Sequence, residues 1–153
     1  MTTVELQLAA SVDLDVLETM VASYHAFENI SLDPASRRHA LKSLLDDEHF
    51  GRIWTISSKQ QTVGYIALCF GYSIEFAGRD AFVDEFFILE DFRGQGVGRS
   101  VLGLIAKEAA ALGIAALHLE VAKDNHRAAN LYASLGFEAR DKYRLMTRHL
   151  GRH

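Results

Sequence analysis

The chain has 153 residues, 49% hydrophobic and 24% charged, with a formal net charge of −4. That balance fits one globular domain and excludes a disordered chain, while the acidic excess argues against a nucleic-acid binder and is compatible with a cationic substrate. A single cysteine, Cys69, rules out an internal disulfide and points to a reducing, cytoplasmic setting. No basic leader and no run near the ~20 apolar residues of a spanning helix is visible, so neither secretion nor membrane insertion is expected.

Val4, Leu6 and Leu8 alternate with polar neighbours and predict a first strand. Leu14, Leu17, Val21 and Tyr24 then recur at helical spacing over residues 13–27. Asp33-Pro34 predicts a second helix start, an N-cap carboxylate followed by a residue with no amide to leave orphaned, and Leu41, Leu44 and Leu45 give that helix its apolar face. Strand-like runs follow at 52–57 and 62–70 around the polar turn Ser58-Lys59-Gln60-Gln61, and the most strand-like run, 81–89, follows Gly78-Arg79. The order then becomes helix, strand, helix. Val97, Val101, Leu104, Ile105, Ala109 and Leu112 form one stripe stopped by Gly113, and residues 116–121 alternate as a strand. Asp124-Asn125 can cap a short helix that ends at Leu135-Gly136, and residues 137–138 and 142–149 read as closing strands. Strands that meander and then enter βαβ units predict an α/β sheet of mixed direction.

The turn Arg93-Gly94-Gln95-Gly96-Val97-Gly98 lies between the strongest strand and the strongest helix. A helix start exposes about four amides without intrahelical acceptors and roughly half a positive charge. Glycines permit positive φ and let a bulky anion approach without meeting a Cβ, and Arg93 adds a cation, so the turn can cradle a pyrophosphate. A dinucleotide fingerprint would need a third glycine where Arg99 stands, and a P-loop would need Gly-Lys-Ser/Thr, which is absent. On the glycines alone, a tight turn without a ligand stays open.

Arg93-x-x-Gly96-x-Gly98 resembles the Gln/Arg-x-x-Gly-x-Gly/Ala signature of the GNAT superfamily of N-acetyltransferases. Downstream, Asn125, Ala128, Leu131-Tyr132 and Leu135-Gly136-Phe137 resemble that family's Asn-x-x-Ala…Tyr…Gly-Phe segment. The resemblance runs from about 62 to 137 and implies one N-acetyltransferase domain over residues 1–153. Its fold would be a mixed, mostly antiparallel sheet of about seven strands flanked by helices, splayed between the strands at 81–89 and 116–121 to admit acetyl-CoA, with no metal.

Residue by residue, the resemblance puts Arg93, Gly94, Gln95, Gly96, Val97, Gly98 and Arg99 at the coenzyme A pyrophosphate. It puts Phe86 and Ile88 beside the pantetheine arm, and Asn125 and Ala128 on the cofactor's other side. Tyr132 resembles the family's general acid, and a phenol of pKa ~10 can protonate a departing thiolate. Its spacing with Ala128, Leu131 and Leu135 equally fits an aromatic staple on a helix face. An amine of pKa ~10.4 must lose a proton before it attacks, and Asp84 and Glu85 are the candidate bases. As strand neighbours they are expected to point to opposite faces, with only one lining the cleft.

Val83-Asp84-Glu85-Phe86-Phe87-Ile88 further resembles the acidic-pair strand of the diamine (spermidine/spermine) acetyltransferase branch, where Asp84 takes the place of the residue acting on the amine. Tyr24-His25-Ala26-Phe27-Glu28 also resembles that branch, so Glu28 and Glu75 join Asp84 as candidate amine-binding carboxylates. The basic end, Arg140, Lys142, Arg144 and Arg148, departs from the branch and weakens the case for a polyamine. The expected partner is a small-molecule amine; a protein N-terminus or lysine, an aminoglycoside, an amino acid, or a non-catalytic acyl-CoA sensor are the alternatives. A homodimer through the closing strands is compatible with the resemblance, though no residue establishes it. His25 with Glu28, and His118 with Glu120, fall short of a metal set, and the latter two are candidates for the border of the cleft. Cys69 reads as a packed thiol, and Trp54 with Phe82, Phe86, Phe87 and Phe92 as core or cofactor-arm walls.

Overall fold

The computed structural model describes residues 3–151. Its elements are β1 (Val4–Leu8), α1 (Leu14–Phe27), α2 (Pro34–Asp46), β2 (Gly51–Ser58), β3 (Gln61–Ser73), β4 (Gly78–Ile88), α3 (Val97–Ala111), β5 (Ala116–His118) and α4 (His126–Ser134), with short 3₁₀ turns at Ser11–Asp13 and Glu90–Phe92. The chain divides into two compact units, one running to Glu120 and the other from Val121.

The first unit is built on a five-stranded sheet in the order β1-β2-β3-β4-β5. Its first four strands are antiparallel neighbours, and β5 joins β4 in parallel after the α3 crossover. Helix starts follow the expected chemistry. Asp33 caps α2 by accepting from the Ser36 amide at 2.9 Å, with Pro34 at the first helical position. Helices α1 and α2 bury Leu14, Leu17, Met20, Val21 and Leu41 in one core with Ile53, Tyr65, Ala67 and Phe87 of the sheet. Each such aliphatic side chain contributes roughly 1.5–3 kcal/mol on leaving water. α3 packs on β1 and β4 through a stripe at Val97, Val101, Leu102, Ile105 and Ala109, so Leu102 rather than Leu104 completes it.

Among the described residues the sheet has five strands, not about seven. The expected strand at 116–121 shortens to Ala116–His118, and residues 137–138 and 142–149 join no ladder among the described residues. In that segment Tyr143, Leu145, Met146 and Leu150 are exposed. Alternation between apolar and basic residues marks a strand only where a neighbouring strand supplies both the hydrogen bonds and a face to cover the apolar side.

In the second unit, α4 starts at the expected cap, with Asn125 Oδ1 accepting from the Ala128 amide at 3.1 Å. It ends in a Schellman turn: Gly136 has φ 96°, its amide bonds Ala133 O at 3.1 Å, and the Phe137 amide bonds Tyr132 O at 3.0 Å.

Candidate active site

Strand β4 is fully paired on its inner side but only partly on its outer side. β5 meets it at Asp80, Ala81 and Phe82 alone, so the outer edge from Val83 to Ile88 is open among the described residues. The Leu89 amide bonds Val63 O at 2.8 Å, toward β3. Backbone groups alternate sides along a strand, so Phe86 and Ile88 direct their amides and carbonyls to the open edge. The Ile88 carbonyl there accepts from Arg93 Nε at 2.7 Å.

The open edge runs into the glycine turn. Gly94 and Gly96 have φ of 73° and 81°, and a Cβ on either would meet no protein atom within 4 Å. Positive φ rather than crowding therefore selects glycine at both positions, and the turn has open space beside it. Ser100, bonded to Gly96 O at 3.2 Å, is the first α3 residue with an intrahelical acceptor for its amide. The Val97 and Gly98 amides precede it at the positive end of the helix. Gln95 Nε2 folds back onto Asp91 O at 3.0 Å. Arg93 braces the turn, its guanidinium lying 4.9 Å from the Phe27 ring centroid and 5.4 Å from that of Phe87. An open strand edge leading to a glycine-rich helix start fits an extended arm joined to a pyrophosphate, as the pantetheine arm of coenzyme A is.

Asp84 and Glu85 do not obey simple alternation. β3 and β4 pair as Ala67↔Glu85 and then Leu68↔Val83, so Asp84 is the extra residue of a β-bulge. The expectation that the two carboxylates must face opposite sides fails here, because the bulge resets the pleat. Glu85 is held at both oxygens: His25 Nε2 lies 2.7 Å from Oε2, and Tyr65 Oη donates to Oε1 at 2.8 Å. Asp84 opens to solvent, yet protein around it strips enough water to hold its carboxyl above the ordinary range. The Glu85 charge adds to that rise and Glu120 contributes, whereas His25 and a hydrogen bond with Cys69 oppose it. Burial pushes the Cys69 thiol up to about 11, as expected of a packed rather than a nucleophilic cysteine. Further along β4, Asp80 Oδ2 lies 3.1 Å from His118 Nε2, and the His118 ring stands between those of Phe82 and Phe76 at 4.9 and 5.2 Å.

In the second unit Tyr132 is half-buried, with its ring edge-on to Phe137 at 6.0 Å, and burial raises its phenol above the ordinary value. Asn125 and Ala128 meet each other across the α4 cap.

The model of the Acetyltransferase (GNAT) family matches residues 15–137. The chain belongs to this family. A thialysine N-epsilon-acetyltransferase from Bos taurus is 35% identical over 74 residues, which are 48% of this chain and 43% of the relative, so the match spans less than half that protein's length. The solved structure of an integron cassette protein from the mobile metagenome of Cole Harbour Salt Marsh superposes with TM-score 0.83 at 30% identity, covering 97% of this chain and 91% of that one. A predicted acetyltransferase from Clostridium acetobutylicum, solved with acetyl-CoA, shares the fold at TM-score 0.75 and 16% identity over 95% of this chain and 96% of its own. No helix among the described residues is long and apolar enough to cross a membrane.

Within this GNAT chain the remaining candidates lie apart. Glu28 caps the end of α1 and is exposed. Glu75 is exposed in the turn before β4, and the strand's rise sets Asp84 roughly 20 Å beyond that turn. His25 turns to Glu85 rather than to Glu28, and no group of three metal-binding side chains is gathered among the described residues. Arg37, whose Nε donates to His25 Nδ1 at 3.4 Å, and Tyr65 were not singled out in the sequence, and the His25–Glu85 contact was not foreseen. The one available signal was that His25 continues the buried stripe of α1, where a histidine needs a polar partner.

Proposed function

We propose that the chain is an acetyl-CoA-dependent N-acetyltransferase that moves an acetyl group directly onto a small cationic primary amine. The observation that carries this reading is one continuous feature of the first unit: the open edge of β4, running from the bulged Asp84 to the glycine turn. Family membership supports the reaction class, and the name of the Bos taurus relative supports an acceptor with an ε-amine on a lysine-like chain.

Acetyl-CoA supplies an activated thioester. The backbone of Phe86 and Ile88 would pair with its extended arm, and the amides of Val97 and Gly98 would hold its pyrophosphate. The acceptor arrives as an ammonium ion, and Asp84 takes its proton, since a carboxyl held above its ordinary range is a stronger base than an exposed aspartate. Tyr132, carried over by its motif, gives a proton to the departing sulfur. Orientation of amine against thioester supplies a large part of the rate. The family match over residues 15–137 runs across the boundary at Glu120 and supports a single N-acetyltransferase domain, and the single cysteine supports a cytoplasmic setting.

Thiol release from acetyl-CoA, screened over lysine analogues, diamines, polyamines, aminoglycosides and N-terminal peptides, tests the reading. Turnover with one cationic amine class is the expected result. Acetyl-CoA binding without release on any amine would replace the enzyme with a sensor.

A further inference from the structure

The proposed reaction uses Asp84 and leaves a histidine buried on α1 without a role. His25 is 5% exposed, and its Nε2 meets Glu85 at 2.7 Å. Its other nitrogen, Nδ1, faces Arg37 Nε at 3.4 Å, while Arg37 Nη2 is anchored on Leu32 O at 2.9 Å. A guanidinium only donates, so Nδ1 must carry the lone pair and Nε2 the proton. With Nδ1 cast as the acceptor, Nε2 is the nitrogen that donates to Glu85. Tyr65, 1% exposed, donates to the second Glu85 oxygen. The contacts run in one direction, from Arg37 through His25 to Glu85, with Tyr65 closing the other side.

Two donors aimed at the two oxygens of one carboxylate match its acceptor-only, ionised form. Asp84, on the bulge beside it, has solvent access through which to lose an acquired proton. The charged and titratable groups bearing on Asp84 are Glu85 on its own strand, His25 from α1, Cys69 from β3 and Glu120 beyond β5. Those bonded to Glu85 are His25 and Tyr65.

We propose that Arg37, His25 and Tyr65 are positioning residues that clamp Glu85 as a fixed anion, so that Glu85 anchors the acceptor's ammonium group while Asp84 receives its proton. This division rests on the acetyltransferase reading. In the transfer one N–H bond of the ammonium breaks and an O–H bond forms on Asp84, with no change of oxidation state.

Steady-state kinetics on the amine identified by the screen separate the two carboxylates. Glu85→Gln should raise the acceptor KM about tenfold or more with a smaller fall in kcat, and should move the acid limb of kcat/KM to lower pH as its charge leaves Asp84. Asp84→Asn should show the opposite split. His25→Leu should reproduce the KM rise, and His25→Gln, which keeps an N–H near the Nε2 position, should recover most of it. Adding His25→Leu to Glu85→Gln should cost little further. Tyr65→Phe removes one oxygen and should raise KM in the same direction, so the test stands even where His25→Leu does not fold. A large loss of kcat at unchanged KM in Glu85→Gln would make Glu85 the base and overturn the division, as would multiplicative losses in the double variant. ¹⁵N NMR of His25 in the protein alone reads the clamp independently of turnover. The Nε2–H tautomer at neutral pH is expected, and an Nδ1–H tautomer or an imidazolium would overturn the clamp. The expected tautomer in a protein inactive on every amine would instead overturn the functional reading beneath it.

Discussion

Two segments carry the family's motif residues, and the structure uses them differently. From Asn125 to Phe137 the motif residues close the ends of one helix: Asn125 caps Ala128, Gly136 and Phe137 bond back to Ala133 and Tyr132, and the Tyr132 ring packs on Phe137. From Arg93 to Gly98 the turn spends only its margins on the protein. Arg93 and Gln95 brace it through Ile88 and Asp91, while two left-handed glycines leave open space over the helix start. Motifs of similar strength in sequence thus divide into one that closes a helix on itself and one that joins an open strand edge to a helix start. Only the Tyr132 hydroxyl is not required by any cap, and the proposed general-acid role rests on it.

Variants can break this comparison. The largest effect is expected at the carboxylate beside the open edge: Asp84→Asn should lower kcat by about 10²–10³-fold with acetyl-CoA affinity unchanged, measured by thiol release and calorimetry. Tyr132→Phe should lower kcat by about tenfold to a hundredfold at unchanged cofactor affinity. Unaltered turnover there would mean that α4 serves its own capping and nothing more. Asn125→Ala should act on stability, by about 1 kcal/mol or about 3 °C in thermal melts, since it removes a cap.

A pH dependence sharpens the contrast. The Asp84 carboxyl is held above its ordinary range in the fold, so the folded protein binds that proton more tightly than the unfolded chain. The stability it contributes is full below the ordinary carboxylate range and is lost as pH rises through the window up to the raised value. Asn has no charge to desolvate, so Asp84→Asn should melt above the wild type at neutral pH, with the difference closing in acid. A wild type that melts higher at neutral pH would show Asp84 to be a stabilising charge rather than one held for chemistry.

Local chemistry was legible in the sequence, and pairings between distant segments were not. The Asp33-Pro34 start, the stripe of α3, the Asn125 cap and the left-handed glycines all depend on residues within a turn or two of each other. The bulge at Asp84 depends on how β3 registers against β4, and alternation along one strand cannot reveal a mismatch with its neighbour. His25 shows the same limit, since its partner Glu85 lies 60 residues away in the chain. At the end of the chain, residues 142–149 read as a closing strand, but a ladder needs a neighbouring strand and none pairs with them among the described residues.

The central claim is that the turn at the start of α3 binds acetyl-CoA, and calorimetric titration of the wild type beside Gly96→Glu tests it most directly. The account predicts micromolar binding to the wild type. In the variant, affinity should fall at least a hundredfold, with the fold retained by circular dichroism, because the new side chain places bulk and negative charge in the space the glycine leaves open. Equal affinity in both proteins, or no binding to the wild type, would contradict it.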